Sequence, residues 1–211
     1  MARYAEELEG FRVALGLERV CLIGHSYGGF VAQRYALAHA ERLSALVLYD
    51  TSPRADAEWE GAIAPRAKEF FGTRPWFSDA MAAFGEFGGA KTDDEATALL
   101  ARSLPLDFGD FDGHAQIYRT RFADVRFTAD PLQGNDPAPF DTRTELPKLK
   151  LPTLILVGRR DCLTSVPFAE ELHTGITGST LVVLEHSGHM GHIEEPPAFA
   201  SAVVPFVAGH P

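Results

Sequence analysis

Three short stretches of this 211-residue chain carry side chains that together could transfer an acyl group. In Gly24-His25-Ser26-Tyr27-Gly28 a hydroxyl stands where an apolar run, RVCLIG, gives way to Phe30, Val31, Tyr35 and Ala36 at helical spacing. A strained strand-to-helix turn that lifts a serine above the end of a sheet needs that setting. Gly24 and Gly28 are expected to remove Cβ atoms where strand and helix backbones come close. The start of the helix favours negative charge, and the Tyr27 N–H is expected to point where an oxyanion would form. The plainer reading is a Gly-rich turn in which Ser26 only caps the helix. Neither phosphate-loop pattern, GxGxxG or GxxxxGKS/T, can be written over these residues.

A serine nucleophile needs a base, and the base needs a group to orient it. The apolar run TLILVG ends in Arg159-Arg160-Asp161, which puts a carboxylate just past a strand, where the sites of open parallel sheets gather. The run STLVVLE is followed by His186-Ser187-Gly188-His189 and brings an imidazole to the same edge. An isolated Asp after a strand is usually a turn or cap residue; the combination with a serine and a histidine singles out Asp161 as the expected acid. Asp50, ending the run LSALVLY, is a rival acid, although Thr51-Ser52-Pro53 also suits a plain turn. His186 and His192 compete with His189 as the base. His189 is preferred for its position and its flanking glycine, and His192 is left a supporting role. The three-residue spacing of these histidines, with Glu194 nearby, also fits a series of metal ligands. Gly188 and Gly191 make the segment a loop and no second ligand cluster exists, so neither a metal nor a cofactor is expected.

These residues need a sheet to hold them. Residues 2–16 set Leu8, Phe11 and Leu15 at three- and four-residue intervals ahead of Gly16, the pattern of an amphipathic helix with a stop. RVCLIG reads as a strand buried on both faces, LSALVLY as another buried strand, and TLILVG and STLVVLE as two more. FAEELHTGI and PAFASAVVPFVAG read as helices. Such alternation predicts an α/β fold, a mostly parallel sheet flanked by helices. Between Pro53 and Pro147, helical segments such as AEWEGAIAPRAKEFF and DDEATALLARSL alternate with connectors such as FGGAKT and GNDPAPF, and no convincing strand is found. The expected organisation is a core segment 1–52 holding the serine turn, an all-helical insertion 53–147, and a core segment 148–211 holding the acid and the histidine.

Composition narrows the function classes. With 45% hydrophobic and 23% charged residues, the chain can bury the core of a globular domain. A net charge of −10 without a basic cluster argues against nucleic acid and anionic membrane surfaces as partners. No apolar stretch reaches the length of a membrane span, and MARYAEELEGFR is charged where a signal peptide would be apolar, so a cytoplasmic location is expected. Cys21 and Cys162 are too few for a disulfide scaffold and should stay free thiols, with Cys21 in the core.

Gly24-His25-Ser26-Tyr27-Gly28-Gly29, Gly158-Arg159-Arg160-Asp161, and Ser187-Gly188-His189 followed by Glu194-Glu195-Pro196 resemble three landmarks of the α/β-hydrolase superfamily, in its order of nucleophile, acid and histidine. The resemblance covers nearly the whole chain, and the helical stretch resembles the family's cap domain. LGLERV before the serine and LYDTSP after it look most like proline iminopeptidase-type members and related esterases. Carried over, the resemblance implies Ser26 as nucleophile, His189 as general acid/base, Asp161 as its orienting carboxylate and the Tyr27 N–H as an oxyanion donor. It implies acyl-enzyme hydrolysis of a small ester or amide, with short peptides beginning in proline as the alternative substrate. Haloalkane dehalogenases and epoxide hydrolases resemble this fold but use Asp where this chain has Ser26.

Full-length members of the superfamily carry several strands ahead of the nucleophile strand, and a loop among them gives the second oxyanion N–H. Between Met1 and Ser26 there is room for one helix and one strand, so the chain is expected to be an N-terminally truncated form of the fold. The RVCLIG edge would then be open to self-association. A lost oxyanion donor typically costs about 2.7–4 kcal/mol of transition-state stabilisation, so weak activity is expected. A non-catalytic relic that binds a ligand or partner is the alternative class. Trp59, Phe70, Phe71, Trp76, Phe77, Phe84 and Phe87 could line an apolar pocket or form the insertion's own core. Glu58, Glu60, Glu69 and Glu86 are the carboxylates an aminopeptidase could use to hold a substrate's amine.

Overall fold

Short apolar runs rich in branched residues pair as strands, and the structure, a computed structural model that describes residues 2–121, 125–129 and 140–211, alternates them with helices. From the N-terminus come α1 (Ala2–Ala14), β1 (Val20–His25), α2 (Tyr27–Ala38) and β2 (Leu43–Tyr49). Next come β3 (Arg54–Ala55), then α3 (Ala57–Phe71), α4 (Phe77–Phe87), α5 (Asp93–Ser103) and α6 (Phe111–Arg121). The chain closes with β4 (Phe140–Asp141), β5 (Thr153–Gly158), α7 (Val166–Gly175), β6 (Thr180–Leu184), α8 (Gly191–Glu194) and α9 (Pro196–Ala208). Strands β1, β2, β5 and β6 form one parallel sheet in the order β1-β2-β5-β6. No described helix is long and apolar enough to cross a membrane.

The register brings the strand ends level. His25 lies opposite Tyr49, Tyr49 opposite Leu156, and Gly158 opposite Leu184. Whatever follows each strand therefore emerges along one edge of the sheet. Alternation along β2 fills both faces: Leu46 and Leu48 pack with Tyr35, Ile155, Val157 and Leu172 on the face covered by α2 and α7, and Val47 and Tyr49 pack with Leu156, Leu184 and Val203 on the α9 side.

Three expectations about the framework change. β1, expected to be buried on both faces, is only half-buried, with Ile23 46% exposed, and Cys21, expected in the core, is likewise half-buried; the open edge expected of β1 is present, since it lacks a partner strand on one side among the described residues. In α1 the inward face runs through Ala5, Leu8 and Arg12, while Phe11 and Leu15 are 62% and 56% exposed. The helix is turned because Arg12 is drawn inside. Glu9 pairs with it at 2.6 Å, and its guanidinium also meets the carbonyls of Leu17 and Glu18. The third change lies between Pro53 and Pro147, where β3 and β4 pair antiparallel. Two residues per strand are too few to leave a periodic signal. The connector GNDPAPF lies outside the described residues except for Phe140.

Two of the helices between β2 and β5, α3 and α5, begin on ordinary caps: the Asp56 carboxylate accepts the Trp59 N–H at 2.9 Å, and the Thr92 hydroxyl accepts that of Glu95 at 3.2 Å. Ala67, Phe71, Ala80 and Leu106 are buried together with Cys162, packed over by Phe70, Trp76, Phe77 and Phe84. This apolar cluster sets the insertion directly against the loop that carries Asp161.

Candidate active site

Ser26 sits between β1 and α2 at φ 54°, ψ −124°, a strained backbone for a residue with a side chain. Such a conformation costs on the order of 1–3 kcal/mol and persists only where the surroundings impose it. They do so here. The Ser26 N–H donates to the Tyr49 carbonyl at 3.0 Å, and the Ser26 carbonyl accepts the Gly29 N–H and the Thr51 hydroxyl, each at 2.9 Å. Ser26 does not cap α2 through its side chain. A Cβ on Gly24 would come within 2.6 Å of the Gly28 carbonyl oxygen and 2.7 Å of the Ala32 Cβ, so the close approach demands glycine there. Gly28 has open space where its Cβ would stand; the second crowded position is Gly29, whose Cβ would meet the Thr51 side chain at 2.3–2.5 Å. The need falls one residue later because Thr51, from the next strand end, packs under the turn. Tyr27 is the first residue of α2, so its N–H lies at the positive end of the helix.

Asp161 and His189 meet. The Asp161 Oδ2 accepts from His189 Nδ1 at 2.8 Å, with both side chains almost wholly buried. The bond fixes the tautomer, with the proton on Nδ1 and Nε2 left as the basic nitrogen. Asp161 is saturated with donors. Its Oδ1 accepts the N–H groups of Leu163 and Thr164 at 2.8 and 3.0 Å, and its Oδ2 also accepts the Thr164 hydroxyl at 2.6 Å. Burial works against charge on this carboxyl, but the His189 charge and these bonds outweigh it and bring its pKa down to about 2. Burial, the largest single influence, lowers the imidazole, but the charge and hydrogen bond of Asp161, with smaller help from Asp50 and Asp107, together outweigh it and leave His189 above the ordinary histidine value.

His25 ties the serine turn to this pair. Its Nε2 donates to the His189 carbonyl at 2.9 Å, its ring stacks on Tyr49 with centroids 4.6 Å apart, and it lies 4.7 Å from the His189 ring. Burial and the neighbouring His189 charge keep His25 neutral, with a pKa lowered to about 3. His192 stands behind this layer: its N–H donates to the Tyr49 hydroxyl at 3.0 Å, and its Nδ1 lies 3.2 Å from the same oxygen. His186 is exposed, and its N–H donates to Glu195.

The sequence reading missed three partners. Asp107, in the turn that follows α5, accepts the His189 N–H on its carbonyl at 2.7 Å. Glu194, weighed as a metal ligand, spends its carboxylate on backbone instead, accepting from Gly188 at 2.7 Å, Gly109 at 3.1 Å and Asp110 at 2.8 Å. Thr164 had a local signal, a hydroxyl three residues after Asp161. Asp107 had none, and Glu194 none for its bonds to Gly109 and Asp110, since those contacts join segments far apart in the chain. The metal question also moves: His25, Asp50 and His189 bring one ligand atom each within 4.8 Å of one another, although His25 Nε2 and His189 Nδ1 already have partners.

Residues 2–202 match the model of the alpha/beta hydrolase family. A proline iminopeptidase, PfmaB, of Pestalotiopsis fici is 27% identical over 199 residues, covering 90% of this chain and 68% of its own. A pimeloyl-[acyl-carrier protein] methyl ester esterase of Vibrio vulnificus is 29% identical over 194 residues, covering 87% and 68%. The crystal structure of the esterase RhEst1 from Rhodococcus sp. ECU1013 superposes with a TM-score of 0.75 at 20% identity, over 99% of this chain and 72% of that one, which shows a shared fold.

Proposed function

From the premise that the chain belongs to the alpha/beta hydrolase family, we propose that it is a serine hydrolase acting on a small ester or amide through an acyl-enzyme. One observation carries this reading: the buried, bonded Asp161–His189 pair stands at the same sheet edge as the strained turn of Ser26, bridged to it by His25. In this mechanism the Ser26 hydroxyl adds to the substrate carbonyl as His189 Nε2 takes its proton. The oxyanion is met by the Tyr27 N–H at the start of α2. His189 passes the proton to the leaving group, then activates water to release the acid. Asp161 stays ionised throughout, holding the ring and stabilising the imidazolium.

The named relatives divide between esterases and proline iminopeptidases, and the ester reading is favoured by the surroundings of the four glutamates. Glu58 is spent on Arg54, and Glu60, Glu69 and Glu86 are exposed, so none is a buried anchor for an amine. The test is labelling with a fluorophosphonate. Modification of Ser26, lost in Ser26→Ala, is expected; a folded protein that stays unlabelled overturns the reading. Turnover of p-nitrophenyl esters in preference to proline β-naphthylamide is expected, and the opposite preference makes the chain an iminopeptidase.

A further inference from the structure

Asp50 has no part in the mechanism above, yet it is buried beside it. It follows β2 with a positive φ of 43° and is 0% exposed. Its Oδ1 accepts the Gly158 N–H at 2.8 Å, which pins the carboxyl to the end of β5, and its Oδ2 is buried without a hydrogen-bond partner. Because β2 lies between β1 and β5, this carboxyl faces His25 from one neighbouring strand end and Asp161 from the loop beyond the other. His189 faces it from the loop after β6, with the ligand atoms of Asp50, His25 and His189 all within 4.8 Å of one another. Tyr49 is the titratable neighbour on its own strand.

A lone buried carboxylate with an idle oxygen is costly, and two carboxylates this close do not both ionise readily. Asp161, with its full set of donors, takes the charge. Burial first, and the Asp161 charge second, hold Asp50 well above the ordinary carboxylate range. The two acids therefore differ in state although both lie near one imidazole, Asp161 bonded to it and Asp50 with a carboxylate oxygen within 4.8 Å of a ring nitrogen.

We propose that Asp50 is a second acid for His189, a positioning residue that supports the imidazole when the Asp161 carboxylate is lost. The proposal rests on Ser26 and His189 being nucleophile and base. With Asp161 gone, burial still disfavours charge on Asp50, but the repulsion from the second carboxylate is gone, while the imidazolium and the Gly158 N–H continue to favour its ionisation. Asp50 then ionises close enough to the ring to stabilise the imidazolium.

The test follows the rate of Ser26 labelling by a fluorophosphonate, together with p-nitrophenyl butyrate turnover, in Asp161→Ala, Asp50→Asn and the double variant. Asp161→Ser replaces Asp161→Ala if the latter does not fold. Where the orienting acid is the sole one, its loss costs about 10⁴-fold. Asp161→Ala is expected to lose far less, about 10²-fold, and the double variant to fall at least tenfold further. The residual activity of Asp161→Ala should also show an acid limb, set by ionisation of Asp50, that the double variant lacks. Asp50→Asn alone should slow the enzyme less than Asp161→Ala does. A double variant no slower than Asp161→Ala overturns the proposal while leaving Ser26 and His189 in their roles. A wild-type chain that is never labelled overturns those roles, and the proposal with them.

Discussion

His25 and His189 are joined through a ring nitrogen and a backbone carbonyl 2.9 Å apart, so the residue before the candidate nucleophile carries the main chain of the candidate base. The bond crosses the sheet edge from the end of β1 to the loop beyond β6. Its donor is a neutral ring sandwiched against Tyr49, with little freedom to lose when the bond forms.

His25→Phe keeps the ring on Tyr49 and removes the donor. The His189 carbonyl is then buried without its partner, at a cost of about 1–3 kcal/mol. Thermal unfolding should report that loss. Ester hydrolysis should lose roughly tenfold in kcat with KM little changed, since a displaced base affects the chemical step more than binding. An unchanged kcat would show that the loop holds its place without His25.

Glu194 does the same work from the other side. Its side chain is only 1% exposed, and its three backbone donors belong to the histidine loop and to the segment after Asp107. Glu194→Gln presents an amide to N–H groups that need an acceptor, so at least one donor is orphaned. A loss of about 1–3 kcal/mol in stability is expected, with a fall in kcat. Hydrogen exchange should show Gly109 and Gly188 amides opening together; if only one of them loses protection, the two segments are not clamped as a unit.

The glycines of the serine turn separate close contact from mere motif. Gly24→Ala drives a methyl into the Gly28 carbonyl and Ala32, and should cost about 1–3 kcal/mol as an overpacked site. Gly28→Ala meets nothing within 4 Å and lies in α2, where Ala is the better helix former by about 1 kcal/mol. Denaturant melts should therefore rank Gly28→Ala at or above the wild type and Gly24→Ala well below. Equal losses at the two positions would refute the steric account.

What could be read from the chain alone follows from how local each signal is. Strand and helix periods gave β2, β5, β6 and the helices between them, because a buried run and an amphipathic helix are written in neighbouring residues. Ser26, Asp161 and His189 each end or follow such a run, so their gathering along one edge of the sheet, and the meeting of Asp161 with His189, could be anticipated from strand order. The inward turn of Arg12 could not, since it depends on carbonyls beyond the helix; nor could the crowding of Gly29, which depends on Thr51. Asp50 was visible as a rival acid, but its idle oxygen beside His189 is a product of the β1-β2-β5 order. Glu194 looked like a ligand because sequence spacing shows side chains and hides the backbone N–H groups they satisfy.

The Asp161–His189 pair should make activity and stability respond to pH in opposite senses. The base must be neutral, and Asp161 raises the His189 pKa above the ordinary value of about 6.5. The acid limb of kcat/KM should accordingly lie above pH ~6.5, with activity rising as pH rises through the His189 pKa. Asp161→Asn removes the charge, so the limb should shift to lower pH while the plateau drops. Stability runs the other way. A raised histidine contributes fully below about 6.5 and its contribution is lost as pH rises through the folded-state value; a depressed aspartate contributes above about 3.9 and is lost as pH falls through the lowered one. The stability gap between wild type and Asp161→Asn should thus be widest between pH ~4 and ~6.5 and should shrink on either side. Thermal melts of both proteins across that range decide it, and a gap that keeps widening as the solution is made alkaline would mean the pair is not the charged one described.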